Sequence, residues 1–582
     1  MTLEAAAQGP DTNAQDSRTE KTPLRDRPSR VRAKAFVVTA ALAALILSGC
    51  APAAEQEQRP GNSTASAAST STSASTSTST SASAKQTFAP FDREEYAQIG
   101  AAAGATTGVD PTAVSVTDQS TGENMPAGLM GLSIETDSMT DPALDPDNSE
   151  LAAVLKKMNK PVLRFGGQSV DRRFFWTSTN EPAPDWKLVP AYKGDVRPIM
   201  RVQPEDLQRI KRLLDAVDGT VLLSADMGHF DPARAGDLAA HAKDILGDRL
   251  LGVSLGNEPN GYNRSYDPYL TLRGDGWDFA AYAKEATAVA DAIKKAAPGV
   301  KIAGPETYSD SWWKQFTALK LDNVGALAYH NYPLPECPDP SNPLAPSIAR
   351  VMSRSLADSS AKYQAAASKV AKDANIAAWL TETGISSCGG SNETTGRHVS
   401  ALWTVNFAMS AAQTGVSQVD LHSSLEACKG GPPLSPICDS GPYRKPSGNF
   451  TMRPAYYGTM LVNSVGAGAF QKVNTVGNEN LYTYAIKHDD GSLSVLIVNQ
   501  NDPQTTAQAP ITLTLPKAAG TGTMSQMTGP SFDAENQTRI DGMETAGVPK
   551  ATQDRVPGFT AGTQEVKLNL TSGTATVLTF TF

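Results

Sequence analysis

The 582-residue sequence has few residues of the types that mark metal centres, nucleic-acid surfaces or membrane spans. It contains five cysteines and six histidines, and its net charge is −9. Without a basic stripe to neutralise phosphates, the chain is not expected to bind nucleic acid. Its longest apolar stretch, residues 35–47, is shorter than the ~20 residues that a membrane-spanning helix needs. The length is ample for a large core and more than one domain.

The cysteines point to an oxidising environment. With Cys50 set aside, Cys337, Cys388, Cys428 and Cys438 remain, and four cysteines allow three pairings. We favour Cys337–Cys388 and Cys428–Cys438, because the second pair brackets one short loop rich in glycine and proline. A metal site is the rival interpretation, but no histidine lies beside these cysteines at ligand spacing. No metal or cofactor is therefore expected.

The N-terminus has the pattern of an export signal. A basic region from Arg25 to Lys34 precedes the apolar stretch 35–47, and Leu-Ser-Gly-Cys follows, ending at Cys50. This ending resembles a bacterial lipoprotein box, which implies that Cys50 is lipidated and that residues 1–50 are a signal peptide. A plain signal peptide or a single anchor helix are the alternatives. The chain is expected to be exported and anchored by lipid on the outer face of the bacterial cell membrane.

A tether follows the signal. Residues 51–86 consist largely of Ser, Thr and Ala. This segment has almost no large apolar side chain with which to offset the entropy cost of ordering. We predict a disordered linker that holds the folded part away from the membrane.

Eight short apolar runs alternate with amphipathic segments from residue 129 onward. Each run ends in polar or glycine residues, which is the pattern of buried strands separated by helices. Such a series predicts an α/β fold, a (β/α)₈ TIM barrel over residues 129–454. The runs are 129–135, 161–167, 220–226, 251–258, 300–306, 324–332, 376–382 and 416–424.

The pattern changes to short β segments and turns after residue 455. Residues 455–582 are therefore predicted to form an appended C-terminal all-β sandwich. A strand near 112–118 precedes the barrel, and the N-terminal segment 87–128 is expected to contribute to the same β domain. We expect the sandwich to be structural.

Two carboxyl groups stand at the ends of apolar runs. Glu258 ends the fourth run and Glu382 ends the seventh. Chemistry in such barrels sits at the carboxyl ends of the strands, so the two groups are expected to meet across the barrel mouth. A pair about 5 Å apart suits retaining glycoside hydrolysis. A structural ion pair with an arginine such as Arg164 is the alternative.

Four segments together resemble glycoside hydrolase family 79, the family of heparanase and β-glucuronidases. They are PVLRFGGQSVDRRFFW, LGNEPN, AYHNYP and WLTETG, in that order along the chain. The resemblance covers roughly residues 125–465 and implies the barrel of clan A glycosidases. It also implies that Glu258 is the general acid/base and Glu382 the nucleophile.

The resemblance implies roles for neighbouring residues. Asn257 would hydrogen-bond the sugar 2-hydroxyl, Tyr332 would contact the nucleophile, and Glu135 would bind a hydroxyl of the nonreducing sugar. We group His330 with the substrate-binding residues. The sequence fits equally well a position behind those residues, without contact to the substrate. Arg164 would be a buried partner of the carboxylates or a structural cation in the barrel floor.

Gln168 stands where the family presents a polar side chain to the ligand.

The loop that contains Gly389 and Gly390 departs from the family pattern. Gly389 and Gly390 match glycines whose amides receive a glucuronate carboxylate, but Ser387 or Cys388 replaces the tyrosine that often precedes them. The reaction type does not depend on this point, whereas uronate specificity does.

These observations predict an exported retaining glycoside hydrolase. β-Glucuronides or uronate-containing glycans are the favoured substrates, and β-xylosides, β-glucosides or arabinosides are the main alternative. A catalytically inactive glycan-binding lipoprotein on the same barrel is the third possibility. The expected partners are an oligosaccharide or glycoside and, through Cys50, a membrane. The oligomeric state is left open.

Overall fold

A computed structural model describes the body of the chain. The predicted signal peptide, Cys50 and the predicted linker lie outside the described residues. None of the described helices is long and apolar enough to cross a membrane. The described residues are 109–186, 197–263, 271–335, 337, 342, 345–442, 445–535, 537–541 and 556–582.

Eight parallel strands close into a barrel, as the sequence predicts. Each of the eight apolar runs coincides with one strand to within a few residues, and the last strand pairs with the first, with Val419 opposite Met130. Helices cover the outside while side chains fill the inside, so both faces of each strand are buried. In chain order the barrel strands are β2 (Met130–Glu135), β3 (Val162–Gly166), β6 (Thr220–Ala225), β7 (Leu250–Leu255), β8 (Ile302–Thr307), β9 (Val324–Asn331), β10 (Ala377–Thr383) and β11 (Gln418–Ser423).

Nine α-helices lie within the described residues, and most connect successive barrel strands. They are α1 (Leu151–Lys156), α2 (Pro204–Val217), α3 (Pro232–Leu246), α4 (Phe279–Ala296), α5 (Asp310–Ala318), α6 (Ile348–Val351), α7 (Arg354–Asp373), α8 (His398–Gln413) and α9 (Pro454–Val465). Two small two-stranded sheets, β4 (Phe174–Trp176) with β5 (Met200–Val202) and β12 (Ile437–Asp439) with β13 (Phe450–Met452), lie in loops.

Helix α2 shows why these segments are helical. Its buried residues recur every three or four positions, including Leu207, Ile210 and Leu214, so one stripe faces the barrel. A capping box between Gln203 and Asp206 begins the helix, and it ends at a residue in left-handed conformation.

Helix α9 follows the last barrel strand and fixes the base of the first. Asn463 accepts a hydrogen bond from the Met130 amide (2.9 Å) and donates to the carbonyls of Met130 (3.0 Å) and Met158 (2.8 Å). The barrel–sheet boundary predicted at 454/455 falls at the start of this helix, and the C-terminal sheet begins at Gly468.

The C-terminal strands form one continuous nine-stranded sheet. In spatial order they are β19 (Arg539–Asp541), β18 (Thr521–Thr528), β21 (Thr574–Thr581), β16 (Leu493–Asn499), β15 (Leu481–Lys487), β14 (Gly468–Val476), β1 (Thr112–Met125), β17 (Gln508–Ala519) and β20 (Thr563–Thr571). The predicted strand at 112–118 is thus inserted between β14 and β17. Asn499 of β16 donates directly to the Leu570 carbonyl of β20 (3.0 Å), five strands away. Since neighbouring strands are about 4.8 Å apart, the sheet must fold over on itself, as a sandwich does.

Both favoured disulfides are present in the structure. Cys337 pairs with Cys388, and Cys428 pairs with Cys438. The first bond joins the loop after the sixth barrel strand to the loop after the seventh. Beside it, the Ser387 hydroxyl donates to the Pro335 carbonyl (2.7 Å). The two loops are therefore fixed to each other at the barrel mouth.

Candidate active site

Charged side chains from several barrel strands meet at the carboxyl end of the barrel. Arg164 lies at their centre and is fully buried. Its Nη1 donates to Glu382 Oε2 (2.7 Å), and its Nη2 donates to Asn257 Oδ1 (2.9 Å) and Glu306 Oε2 (3.1 Å). One guanidinium therefore holds groups from the fourth, fifth and seventh strands. Its donors sit in a fixed planar fork, so it also sets the directions of these side chains.

The glycines of the RFGG segment provide the space for this cluster. A Cβ on Gly166 would lie 2.2 Å from the Arg164 guanidinium carbon. A Cβ on Gly167 would lie 2.5 Å from the Glu135 carboxyl carbon, and Gly167 has a φ of +71°. Any larger residue would displace a charged side chain of the site.

Glu382 is held as an anion. The Tyr332 hydroxyl donates to its Oε1 (2.8 Å), which is the contact that the sequence predicted. His422 Nδ1 lies 3.5 Å from the same oxygen. Burial alone would raise the pKa of Glu382, but the charges of His422, His330 and Arg164 hold it well below its usual value. A carboxylate with this environment is ready to act as a nucleophile.

Glu258 faces Glu382 across the mouth. It follows the fourth strand with a φ of +50°, and its amide donates to the Glu306 carbonyl (2.8 Å). One carboxylate oxygen of Glu258 lies within 4.8 Å of a carboxylate oxygen of Glu382. A non-glycine residue in the left-handed region is uncommon and strained, and the strain here falls on a residue that projects a carboxyl group into the site.

His330 lies behind both carboxyl groups and is fully buried. Its Nδ1 is 3.1 Å from Glu258 Oε1, and its Nε2 is 2.8 Å from Glu306 Oε2. Burial opposes the charged ring, yet Glu382, Glu258 and Glu306 together raise the pKa of His330 to about 9. A doubly protonated ring donates to Glu306 through Nε2 and to Glu258 through Nδ1. His330 thus links Glu258 to Glu306, and Glu382 lies beside them.

Asp171 connects three strand ends. It is fully buried, and its Oδ1 accepts from the amides of Met227 (2.9 Å) and Gly228 (3.1 Å), while its Oδ2 accepts from the Asn257 amide (2.9 Å). A carboxylate from the loop after the second strand thus fixes the loops after the third and fourth. Asp171 therefore helps to position the backbone that carries Asn257 and Glu258.

A cavity of about 210 Å³, here called the catalytic cavity, lies above these groups. The predicted residues that line it are Glu135, Gln168, Glu258, Tyr332, Glu382 and Gly389. The structure does not place the others on its wall: Asn257 and Arg164 are buried beneath it. His330 and Gly390, predicted to bind substrate, are also buried. His330 contacts the two carboxyl groups from behind instead.

Several residues of the site had no role assigned from the sequence. Arg173 and Arg197 line the catalytic cavity, as does His422. Glu306 and His422 both end apolar runs, which is the signal that picked out Glu258 and Glu382. Nothing local marks Arg197, because only the fold brings it to the mouth. Ser387 also lines the cavity at the position that departs from the family pattern.

The raised pKa of His330 predicts a pH-dependent contribution to stability. Because the pKa rises from 6.5 to about 9 on folding, this contribution is fully present below pH 6.5 and is lost as the pH rises through about 9. We expect the difference in free energy of unfolding between wild type and His330→Gln to be largest at pH 6 and to shrink by pH 10. Denaturant titrations of both proteins at each pH would measure it. A difference that is constant with pH would contradict the imidazolium assignment.

Comparisons with known proteins agree with the barrel. No protein-family model and no curated protein matches the sequence. A 4-O-α-L-rhamnosyl-β-D-glucuronidase from Fusarium oxysporum has a similar structure, with a TM-score of 0.61, 17% identity, and coverage of 80% of this chain and all of that one. A family 51 arabinofuranosidase from Xanthomonas axonopodis has a TM-score of 0.56 and 12% identity, and the match covers 81% of this chain and 100% of that one. A bifunctional glucanase-xylanase from a metagenome library has a TM-score of 0.53 and 12% identity, and the match covers 81% of this chain and 99% of that one. The chain therefore has the fold of these glycoside hydrolases, a barrel with an additional sheet domain.

Proposed function

We propose that this chain is a retaining glycoside hydrolase in which Glu382 is the nucleophile and Glu258 the general acid/base. The separation of their carboxylate oxygens, no more than 4.8 Å, carries the proposal. Retaining enzymes hold the two carboxyl groups about 5–5.5 Å apart, whereas inverting enzymes need about 6.5–9.5 Å to admit a water. The narrow separation supports direct attack by a carboxylate.

In the first step, Glu382 attacks the anomeric carbon as the glycosidic bond breaks. The leaving oxygen takes the proton of Glu258, so a glycosyl ester and a free alcohol form. In the second step, Glu258 removes a proton from water, whose oxygen attacks the same carbon and releases Glu382. Each carboxyl group returns to its starting state, and the configuration at the anomeric carbon is retained.

The neighbouring groups support the charge that Glu382 requires and the charge that develops on Glu258. Tyr332 and Arg164 stabilise the Glu382 carboxylate before attack and after release. The His330 imidazolium faces Glu258, so it stabilises the anion that forms when Glu258 gives up its proton. Asn257 is held by Arg164 through its Oδ1, which leaves its amide nitrogen as the group that would donate to the sugar 2-hydroxyl. These are interactions that strengthen as charge develops.

For the substrate we propose a β-glucuronide or a related uronate-containing glycan. Gly389 lines the catalytic cavity, at the position where the resembled family receives a sugar carboxylate on glycine amides. Arg173 and Arg197 lie on the same wall, each paired with a carboxylate, Asp137 and Glu426 respectively. The structurally similar Fusarium enzyme is named as a glucuronidase. Neutral β-glycosides or arabinosides are the alternative within the same mechanism, since other similar structures are arabinofuranosidases. An inactive binder would not need two carboxyl groups at this separation.

We further propose export and lipid anchoring at Cys50, on the strength of the N-terminal sequence. The full chain in a bacterial host is expected to appear in the membrane fraction and to incorporate labelled palmitate. Cys50→Ser should lose the label. Equal labelling of both proteins would contradict lipidation at this residue.

The catalytic assignment predicts the behaviour of two variants. For residues 87–582, we expect wild type to release p-nitrophenol from the β-glucuronide and Glu382→Ala to lose at least ~10³-fold in kcat, because it lacks the nucleophile. Glu258→Ala should retain more activity on this substrate, whose leaving group needs little protonation, and azide should restore turnover. An equal and unrescued loss in Glu258→Ala would contradict its acid/base role. If wild type cleaves a neutral aryl glycoside and not the β-glucuronide, the proposed mechanism stands and the proposed substrate is wrong.

The contacts of Asp171 predict a positioning effect on the acid. In Asp171→Asn, one oxygen is replaced by an amide nitrogen that cannot accept from a backbone N–H, which leaves a buried group unpaired at a cost of about 1–3 kcal/mol. We expect kcat/KM to fall about ten- to a hundredfold, and to fall more for an aryl glycoside with a poor leaving group than for the p-nitrophenyl glycoside. Equal losses on both substrates would indicate a general structural effect instead.

A further inference from the structure

His422 lies between two carboxylates that line the catalytic cavity. It belongs to the eighth barrel strand, whose neighbours in the ring are the seventh strand, which carries Glu382, and the first strand, which carries Glu135. Its Nδ1 is 3.5 Å from Glu382 Oε1, and its Nε2 is 3.8 Å from Glu135 Oε1. One imidazole ring therefore faces the proposed nucleophile with one nitrogen and the predicted sugar-binding carboxylate with the other.

The two contacts of His422 are contacts between charges rather than hydrogen bonds. Both distances are longer than a usual N–H···O bond, and in the described part of the chain Nδ1 has no hydrogen-bond partner. Glu382 already accepts hydrogen bonds from Tyr332 and Arg164, so it does not need His422 as a donor. What His422 adds is a positive charge that two carboxylates can share.

Glu135 depends on His422 for a counter-ion. The Oε2 of Glu135 accepts a hydrogen bond from the Ser169 amide (2.7 Å). Among the described residues, however, His422 is the one cation within 4 Å of the Glu135 carboxylate. The two arginines on the same cavity wall are each paired with another carboxylate. The charge of Glu135 is therefore balanced by the same ring that faces the nucleophile.

The charges around His422 favour its protonated form. Burial favours the neutral ring, and the positive charge of Arg164 opposes a second one. Glu382 and, to a smaller extent, Glu135 nevertheless raise the pKa of His422 above its ordinary value of 6.5. The ring therefore holds its proton to a higher pH than an exposed histidine does.

The charge of Glu382 changes during the proposed reaction, and this is where a second carboxylate matters. Glu382 is an anion before attack and is neutral in the glycosyl ester. A largely buried cation whose only partner lost its charge would be left uncompensated, which is costly. Because Glu135 lies on the other side of the ring, the His422 imidazolium has a carboxylate partner in both states.

We propose that His422 is a shared counter-ion, paired with Glu382 in the free enzyme and with Glu135 while Glu382 carries the sugar. This inference rests on the proposed function and assigns a positioning residue within it. No proton moves among the three groups, since the ring stays an imidazolium and only the balance of its contacts changes. Glu135 then has a role besides binding a sugar hydroxyl, because its charge stabilises the covalent intermediate.

Replacing each carboxylate by its amide tests the sharing without any catalysis. Glu382→Gln leaves this position neutral, as the glycosyl ester does. The chain has six histidines, so NMR of the full chain labelled at histidine Cε1 can follow the titration of His422, with His422→Gln to assign its signal. We expect the pKa of His422 to stay above 6.5 in Glu382→Gln and to fall below 6.5 only in Glu135→Gln/Glu382→Gln, where burial is no longer opposed.

Two results of the titration would overturn the proposal. One is a pKa of His422 that falls as far in Glu382→Gln as in the double variant, because Glu135 would then not be a partner. The other is a pKa at or below 6.5 in wild type. This titration needs no substrate, so its outcome is separate from that of the hydrolase proposal. Should wild type cleave no glycoside, the hydrolase proposal fails and the titration alone decides whether the charge is shared.

The pH profile of cleavage tests the pairing with Glu382 in a second way. Glu382 must be ionised to attack, so its pKa sets the acid limb of kcat/KM. For the aryl glycoside that wild type cleaves best, His422→Gln should move this limb to higher pH by about one pH unit. His229→Gln is the matched control, because it removes another histidine–carboxylate pair at the barrel mouth, with Asp226, and should leave the limb in place. A loss in His422→Gln that is equal at every pH would indicate a merely structural role and would contradict the proposal.

Discussion

The buried Arg164 guanidinium is the interaction on which the rest of the site depends. A cation enclosed in a barrel is stable only when carboxylates neutralise it and its donors are satisfied, and Glu306 and Glu382 do so here. Their charges in turn keep His330 protonated. Glu258 and Glu382 are thus part of one linked set of compensating charges.

This charge set explains how two glutamates in one cavity can have different roles. Glu382 has four donors or cations around it, Tyr332, Arg164, His330 and His422, and these favour its ionised form. Glu258 projects from a strained backbone position that is fixed from behind by Asp171 and His330. The different roles proposed for Glu258 and Glu382 come from the groups around each carboxyl and from the loops that hold these two residues. The barrel is the scaffold, and the residues at its strand ends carry the chemistry.

Much of this arrangement was predictable because it is encoded in short segments. The eight apolar runs, Glu258 and Glu382 at strand ends, and the Tyr332 contact all follow from local pattern or family resemblance. The burial of His330 was not predictable, since a histidine at a strand end can face either the cavity or the floor. Arg197 was missed because its position depends on how distant loops meet. The contribution of β1 to the C-terminal sheet was predicted from the strand at 112–118.

The disulfide between Cys337 and Cys388 makes the substrate cleft depend on oxidising conditions during protein production. It joins two loops at the barrel mouth, and one of them carries Ser387 and Gly389 on the cavity wall. Thiols of this kind stay reduced in an ordinary cytoplasm. Protein produced there would have the barrel without the covalent link between these loops, whereas secretion or oxidative refolding supplies it. The redox conditions of production therefore determine whether the assayed protein has its complete substrate cleft.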